Sequence, residues 1–276
     1  MEVEIIKYIQ SYSSDFLDIV FNFITMLGEG VIVIAILSSI YWAVDKKFGE
    51  YMGFSFFTSM LLNNFIKDIF KAQRPIGVEG IRSLRVETAT GYSFPSGHSQ
   101  SASTFYTSLG IYSKKKILYF ICPIIIFLVG LSRLYLGVHW PKDVIVGIVL
   151  GVLTSFVCYF LFKNIKNKSL MYIIIFIIFT PVLFMNNSPD FIKALGGYFG
   201  FVVGILFEKR FVNFSVKGSR LRKIIRVVLG ILLVATFEVL LKLLLPQSNL
   251  SYFIRYTIVS FIGIGFYPYL FKRFNI

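Results

Sequence analysis

The two histidines of the chain, His98 and His139, are the residues best suited to catalysis. A neutral imidazole can attack phosphorus, and a protonated imidazole can donate a proton to a departing alkoxide. Pro141 is typical of a first helical turn, so we expect His139 just before that helix and Asp143 inside it. The Asp143 carboxylate would then reach His139, fix its tautomer and stabilise the cation that develops.

Three cations, Lys67, Arg74 and Arg133, accompany the histidines at the predicted ends of apolar helices. Lys67 and Arg74 are seven residues apart, which places them almost on one helical face, and Pro75 ends that helix. A cation at a membrane edge can simply extend to the interface, which explains any one of the three. Their convergence with two imidazoles instead indicates a site for phosphoryl oxygens and the charge they carry in the transition state.

The segment Pro95-Ser96-Gly97-His98 leads from a loop into an apolar helix. Backbone N–H groups at a helix start bind anions, and Gly97 allows a ligand to approach the backbone closely. The sequence therefore predicts a second contribution to the same phosphate site.

Together these segments resemble the three-part signature of the type 2 phosphatidic-acid phosphatase superfamily. This superfamily includes lipid phosphate phosphatases, phosphatidylglycerophosphatase B, undecaprenyl-diphosphate phosphatases, glucose-6-phosphatase and the vanadium haloperoxidases. All eleven signature positions are present in order, in the pattern Lys67-x6-Arg74-Pro75, Pro95-Ser96-Gly97-His98 and Ser132-Arg133-x5-His139-x3-Asp143. The family core would extend over about 51–162, which leaves roughly the last hundred residues outside it.

The resemblance implies a role for each site residue. His139 would form a phosphohistidine, Asp143 would orient it, and His98 would protonate the leaving group and later activate water. The residues that would hold the phosphate are Lys67, Arg74, Ser96, Gly97 and Arg133. The resemblance also implies hydrolysis without a metal or cofactor, at a site on the extracytoplasmic side. Cys122 and Cys158 lie in predicted spans without metal-ligand spacing, which agrees with that expectation.

Composition indicates a membrane protein. The 276 residues are 56% hydrophobic and only 15% charged, with a mean hydropathy of +0.75, whereas a soluble domain of this length carries far more charge. Apolar runs near the roughly 20 residues that cross a bilayer recur along the chain. Because they lack the alternation of barrel strands, we predict helices. The nine predicted spans are 30–44, 51–70, 96–112, 117–131, 144–162, 170–185, 191–207, 224–245 and 254–271.

The basic residues are distributed unevenly. More than half of the 28 lysines and arginines fall in alternate predicted loops, at 46–47, 114–116, 163–168, 209–226 and 272–273. The positive-inside rule makes these loops cytoplasmic and places the histidines outside. The net charge of +14 therefore reflects topology and not nucleic-acid binding. We predict a multi-pass plasma-membrane protein whose partners are the bilayer and a lipid phosphate; the sequence does not predict its oligomeric state.

The predicted fold class is all-α, a polytopic helical membrane protein with a phosphatidic-acid phosphatase/haloperoxidase-like helical-bundle core. Three parts are expected: 1–50, an N-terminal interfacial helix and first span; 51–163, the catalytic core; and 164–276, a transmembrane extension of unknown role. The acidic stretch 1–27 could be an interfacial amphipathic piece or a short extra span.

Three local features have structural and functional alternatives. The loop 76–94 is either a solvated connection or a lid whose Arg82 and Arg85 contact a second phosphate or headgroup. Asn63 is expected to hydrogen-bond between helices. Glu238 and Lys242 have the spacing of an ion pair on one helix, with a lipid or proton pathway as the alternative.

The expected reaction is hydrolysis of a phosphomonoester or diphosphate on a membrane lipid. A lipid phosphotransferase would use the same site with an alcohol in place of water. A haloperoxidase has a similar site that holds vanadate, but that class is soluble and the many spans argue against it. A transporter or binding protein with a silent site is the remaining alternative.

Overall fold

The computed structural model describes residues 1–185 and 188–274, so Asn186, Asn187, Asn275 and Ile276 of the predicted extension lie outside the described residues. Within the described chain, 79% of residues are helical and none forms a strand, which confirms the all-α prediction. The α-helices are α1 Glu2–Gln10, α2 Asp15–Met26, α3 Gly30–Ala43, α4 Lys46–Phe70, α5 Gly97–Ser113, α6 Lys116–Tyr135, α7 Pro141–Asn164, α8 Lys168–Phe179, α9 Val182–Met185, α10 Pro189–Phe207, α11 Arg220–Leu244, α12 Asn249–Phe261 and α13 Tyr267–Phe274. Short π-helical stretches, Glu208–Val212 and Ile262–Phe266, continue α10 and α12.

Each predicted span coincides with a helix or a helix pair, but fewer than nine meet the length and composition of a membrane-crossing helix. Among the described residues five do so alone: Lys116–Tyr135, Pro141–Asn164, Pro189–Val212, Arg220–Leu244 and Asn249–Phe271. Helices α2 and α3, bent by 48°, make a sixth if they form one span. The other predicted spans fall short of these criteria, because α4 is charged near both ends, α5 has 17 residues with many hydroxyls, and α8 stops close to Pro181.

The chain divides into two compact units, one of Met1–Val33 with Leu62–Tyr159 and the other of Ile34–Leu61 with Phe160–Ile276. All the predicted site residues belong to the first unit. In that unit α5 lies directly against α7, because Gly147 and Gly151 present no side chain to it. A Cβ on Gly147 would lie 2.7 Å from the carbonyl oxygen of Ser96. Small residues at this spacing let helix backbones approach closely, which fixes the start of α5 beside the start of α7.

The helix α4 is tied to α5 by a buried amide pair. The Nδ2 of Asn63 donates to the Oε1 of Gln100 at 2.8 Å, and both side chains are buried. The expectation that Asn63 links helices is confirmed. This contact holds the end of α4, which carries Lys67, against α5, whose second residue is His98.

The N-terminal stretch forms two helices, α1 and α2, instead of one piece, and both pack against α6. The Nε2 of Gln10 donates to the carbonyl of Tyr135 at 2.8 Å, and the ring of Phe21 stacks on that of Tyr135 at 4.2 Å. These contacts position the C-terminal end of α6, which carries Arg133.

In the second unit α10 packs closely against α12, where Gly196 and Gly200 lie against the backbone of Phe253 and Thr257. The prediction that Glu238 forms its ion pair with Lys242 is wrong. The Oε1 of Glu238 lies 3.5 Å from the Nε of Arg255. The physical reason is that α12 runs beside α11 and supplies a cation that local helical spacing cannot reveal.

Candidate active site

His139 lies in the short connection between α6 and α7 and is almost fully buried, with an exposed fraction of 1%. Its Nδ1 is 3.4 Å from the Oδ2 of Asp143, in the first turn of α7, and 3.3 Å from the Oγ of Ser93. The Ser93 hydroxyl donates to the same Oδ2, and the backbone N–H of Trp140 donates to it at 2.9 Å. These two hydrogen bonds fix the carboxylate beside the imidazole.

The other ring nitrogen of His139 faces Arg74. The Nη1 of Arg74 is 2.9 Å from Nε2, and the same Nη1 donates to the carbonyl of Val138 at 2.9 Å. A guanidinium group can only donate, so Nε2 accepts and carries the lone pair, while the proton lies on Nδ1 towards Ser93 and Asp143. This is the tautomer that a nucleophilic imidazole requires.

Arg133, in the last turn of α6, is completely buried. Its Nη1 donates to the Oγ1 of Thr25 at 2.6 Å. Among the described residues its Nε and Nη2 have no hydrogen-bond partner. A buried guanidinium is costly unless an anion pairs with it, so these two nitrogens are oriented for an anionic ligand.

The start of α5 places His98 beside the site and is tied to α7. The Oγ of Ser96 caps the helix by accepting from the N–H of Ser99 at 3.4 Å, and Gly97 is its first residue. The N–H of Ser96 donates to the carbonyl of Asp143 at 2.9 Å, which couples this loop to α7. The Nε2 of His98 is buried without a partner among the described residues.

The structure brings together every site residue that the sequence predicts. Lys67, Arg74 and Arg133 lie close enough to both imidazoles to act on them electrostatically, and His98 acts on His139 in the same way. The Nζ of Lys67 also donates to the carbonyl of Tyr92. Three cations from α4, the loop after it and α6 therefore surround two imidazoles, an arrangement that can bind and react with a phosphoryl group.

Burial holds the pKa of His139 well below its ordinary 6.5, and the positive charges of Arg74, Arg133 and Lys67 lower that pKa further. Both causes disfavour the imidazolium, so protonation requires a more acidic solution and the ring stays neutral at pH 6.5 and above. We expect the imidazole resonance of His139, measured by NMR in His98→Gln so that one histidine remains, to titrate with a midpoint below pH 6.5. A midpoint at or above 6.5 would show that the ring is not buried among cations.

Two residues of the site, Ser93 and Thr25, are missed by sequence reasoning. Ser93 lies in the loop after α4 and is fully buried between His139 and Asp143. Thr25 lies in α2, 108 residues before its partner Arg133. Neither has a spacing or a neighbouring motif that could have identified it. Each is brought to the site only by the tertiary fold, which the local sequence does not reveal.

Replacing Ser93 by alanine removes one donor to the Asp143 carboxylate. A hydrogen bond to a charged group contributes about 1.5–3 kcal/mol, so we expect kcat to fall about 10-fold to 100-fold with little change in KM. Ser93→Thr keeps the hydroxyl and should restore most of the rate. Ser39→Ala, which removes a hydroxyl bonded to Ala35 in the second unit, serves as the matched control. Equal rates for wild type and Ser93→Ala would reject a positioning role.

The arginines of the loop 76–94 bind the N-terminal helices. Arg82 pairs with Asp18 through two hydrogen bonds of 2.8 and 2.7 Å, and Arg85 pairs with Glu29. The carbonyl of Arg82 also accepts from the Nε2 of Gln10 at 2.7 Å. These contacts favour the connection over the lid, because the guanidinium groups already have carboxylate partners.

Arg82→Gln should therefore leave the ratio of monophosphate to diphosphate hydrolysis unchanged. The ion pair is partly exposed, with 42% of the Arg82 side chain accessible, so its loss should lower the free energy of unfolding by no more than about 1 kcal/mol. The matched variant Asp18→Asn removes the other partner and should behave alike. A changed substrate ratio in Arg82→Gln alone would restore the lid hypothesis.

Comparison with known proteins agrees with this geometry. Residues 49–167 match the model of the PAP2 (type 2 phosphatidic-acid phosphatase) superfamily, and residues 192–276 match "PAP2 superfamily phosphatase, transmembrane extension". Phosphatidylglycerophosphatase B of Bacillus subtilis is 34% identical over 122 residues, which are 41% of this chain and 55% of that protein. Undecaprenyl-diphosphatase of Sulfolobus acidocaldarius is 35% identical over 111 residues, 40% of this chain and 53% of that one. The chain thus spans about half the length of these curated relatives.

A solved structure shares the fold. The crystal structure of the first transmembrane PAP2 type phosphatidylglycerolphosphate phosphatase from Bacillus subtilis superposes with a TM-score of 0.52 at 30% identity. The match covers 60% of this chain and 86% of that one. The two family models together cover most of the sequence and include the whole constellation from Lys67 to Asp143. This chain therefore belongs to the PAP2 superfamily.

Proposed function

We propose that this protein is an integral membrane phosphatase that hydrolyses a phosphomonoester or diphosphate on a lipid, through a phosphohistidine on His139 and without a metal. The observation that carries the proposal is that a neutral, correctly oriented His139 lies near a buried Arg133 whose Nε and Nη2 have no hydrogen-bond partner among the described residues. A nucleophile next to a positively charged site that binds anions is suited to phosphoryl transfer.

In the first step Arg74 transfers its hydrogen bond from the Nε2 of His139 to a phosphoryl oxygen. The freed Nε2 lone pair attacks phosphorus, and the bond between phosphorus and the leaving oxygen breaks. His98, in its protonated form, gives its proton to that oxygen, so that a neutral alcohol or a lower phosphate leaves. A phosphate dianion among the cations favours the protonated form of His98. Asp143 balances the positive charge that develops on His139. Arg74, Arg133 and Lys67 stabilise the phosphoryl oxygens.

In the second step water attacks the phosphohistidine. His98, now neutral, accepts a proton from this water, and the bond between phosphorus and Nε2 breaks. Inorganic phosphate leaves, and His139 returns to its neutral form with the proton still on Nδ1. The N–H groups at the start of α5, at Gly97 and next to it, supply further donors to the oxygens in both steps.

We also propose that the site faces the outside of the plasma membrane. Within the first unit, the lysines at 114–116 follow the end of α5, a helix length away from His98. Basic loops prefer the cytoplasmic side. An impermeant thiol reagent applied to intact cells should label a cysteine introduced at Ser83 and spare one introduced at Lys115; the reverse pattern would invert the orientation.

The substrate class is tested with purified protein in detergent, offered a panel of lipid phosphates in the presence of a chelator. The relatives named above are a phosphatidylglycerophosphatase and an undecaprenyl-diphosphatase, so both substrates belong in the panel together with phosphatidic acid. We expect free phosphate without an added acceptor. Phosphate transfer that requires an added alcohol would indicate a phosphotransferase, and loss of activity in chelator would contradict the metal-independent mechanism.

A further inference from the structure

A second group of cations lies in the second unit, at the end of α11 that is farthest from the basic stretch 209–226. Lys242 is near the end of α11, Arg255 is in α12, and Lys193 is in the first turns of α10. Two carboxylates accompany them, Glu238 beside Arg255 and Asp190 paired with Lys193. None of these residues belongs to the signature or to the site described above.

Arg255 is the centre of this group and is buried, with an exposed fraction of 9%. Its guanidinium lies over the rings of Tyr252 and Tyr256, at 5.5 and 4.9 Å from their centroids. The Nζ of Lys193 lies over the same Tyr252 ring at 5.2 Å and pairs with Asp190 at 2.9 Å. The aromatic rings hold both cations in place.

The ion pair in this group is incomplete. The 3.5 Å between the Nε of Arg255 and Glu238 is long for a hydrogen bond. In the described chain the Nε of Arg255 and the Oε2 of Glu238 are buried atoms without a hydrogen-bond partner. A buried guanidinium with an unused donor costs free energy unless a ligand completes it.

The group surrounds a cavity of about 300 Å³, which is the lower end of the range for small-molecule sites. The polar and charged residues that line it include Lys193, Glu238, Lys242, Gln247, Ser251 and Arg255. Of the three cations Lys193 is already paired with Asp190, which leaves Lys242 and Arg255 facing the single carboxylate of Glu238, so the lining favours an anion.

We propose that this cavity binds a phosphate group, carried by a membrane lipid or free in solution. Guanidinium groups match phosphate oxygens in geometry, and lysine ammonium groups add charge without demanding one orientation. The cavity lies at the ends of apolar helices, where lipid headgroups are found. A lipid phosphate therefore matches both the positive charge of the cavity and its position along the helices. The site is independent of the reaction proposed for His139.

Phosphate binding to the purified full-length protein in detergent tests this proposal. Equilibrium dialysis with labelled inorganic phosphate should give two bound equivalents for wild type and one for Lys242→Gln or Arg255→Gln. In these variants the affinity of the cavity for phosphate should be at least about 10-fold weaker than in wild type. Lys242 is exposed, so Lys242→Gln should fold even if the Arg255 variant does not. Lys223→Gln, the same change at the basic end of α11, is the matched control and should keep two equivalents.

A second arm uses mixed micelles that contain a non-hydrolysable phosphonate analogue of phosphatidic acid. If Lys242→Gln weakens binding of the analogue but inorganic phosphate never exceeds one equivalent, the ligand is a lipid headgroup. Unchanged stoichiometry and affinity in Lys242→Gln for both ligands would overturn the proposal. Arg133→Gln separates the two sites, because it should remove only the equivalent bound beside His139. If Arg133→Gln retains both equivalents, the proposed active site fails and the cavity proposal stands.

Discussion

His139→Ala is expected to lower lipid phosphate hydrolysis by about 10⁴-fold or more, the size of loss seen when a covalent nucleophile is removed. The structure gives the reason, because no other side chain presents a neutral, carboxylate-oriented nitrogen beside Arg74 in the described part of the chain. Binding of the phosphonate analogue should persist, since the cations are intact. The measurement is phosphate release at saturating substrate, with binding measured in parallel.

His98→Gln provides the comparison that separates the two imidazoles. An activated aryl phosphate has a leaving group that needs no proton, so its first step does not depend on His98. This variant should release one equivalent of aryl alcohol in a burst and then turn over slowly, whereas His139→Ala should show no burst. Bursts in both variants would exclude His139 as nucleophile, and substantial steady hydrolysis by His139→Ala would do the same.

Arg133→Gln carries the second largest expected effect, a loss of about 10³-fold to 10⁵-fold in kcat/KM. An arginine that stabilises the charge of a transferring phosphoryl group has an effect of this size in other enzymes. Arg133 is fully buried, and within the described ranges its Nε and Nη2 have no hydrogen-bond partner, so water from bulk solvent cannot replace the donors that the substitution removes. Arg133→Lys should recover little, because an ammonium group lacks the planar pair of donors.

The effect on chemistry must be distinguished from an effect on folding. Arg226 is also buried, but its guanidinium donates to the carbonyls of Ser215 and Lys217 in the second unit. Arg226→Gln is therefore the matched control. We expect it to lower stability while the folded protein keeps its rate. If Arg133→Gln stays folded and retains kcat/KM within tenfold, Arg133 does not stabilise the transition state.

The sequence predicts the site better than its surroundings. Lys67, Arg133, His139 and Asp143 lie at helix ends or next to them, and their positions in the sequence predict that they converge. The prediction that Lys67 and Arg74 share one helical face ended by Pro75 is wrong, because α4 ends at Phe70 and Lys71 adopts a left-handed conformation.

The residues that position this set could not be predicted. Ser93 reaches Asp143 from an irregular loop, and Thr25 reaches Arg133 from a helix that could have been an interfacial piece or a span. The arginines of the loop 76–94 illustrate the same limit. Arg82 has its carboxylate partner 64 residues away, in a helix whose packing no local pattern reveals.

Hydropathy predicted helices more reliably than membrane crossings. The runs near α4 and α5 are helical, but α5 carries Ser99, Ser101 and Ser103, all of which are buried. Such residues lower the hydropathy of helices that line a site, so apolar length alone misjudges which helices cross. The prediction for Glu238 was wrong because its ion-pair partner, Arg255, belongs to another helix.

The central claim is that His139 becomes phosphorylated inside a cup of cations. The most direct measurement is rapid quenching of His98→Gln with an aryl phosphate labelled at phosphorus, followed by peptide mapping, because this variant should accumulate the intermediate. We predict a label that survives alkali, is lost in acid and maps to the peptide that contains His139. A burst of aryl alcohol with no label on that peptide, or a label on any other residue, would contradict the account.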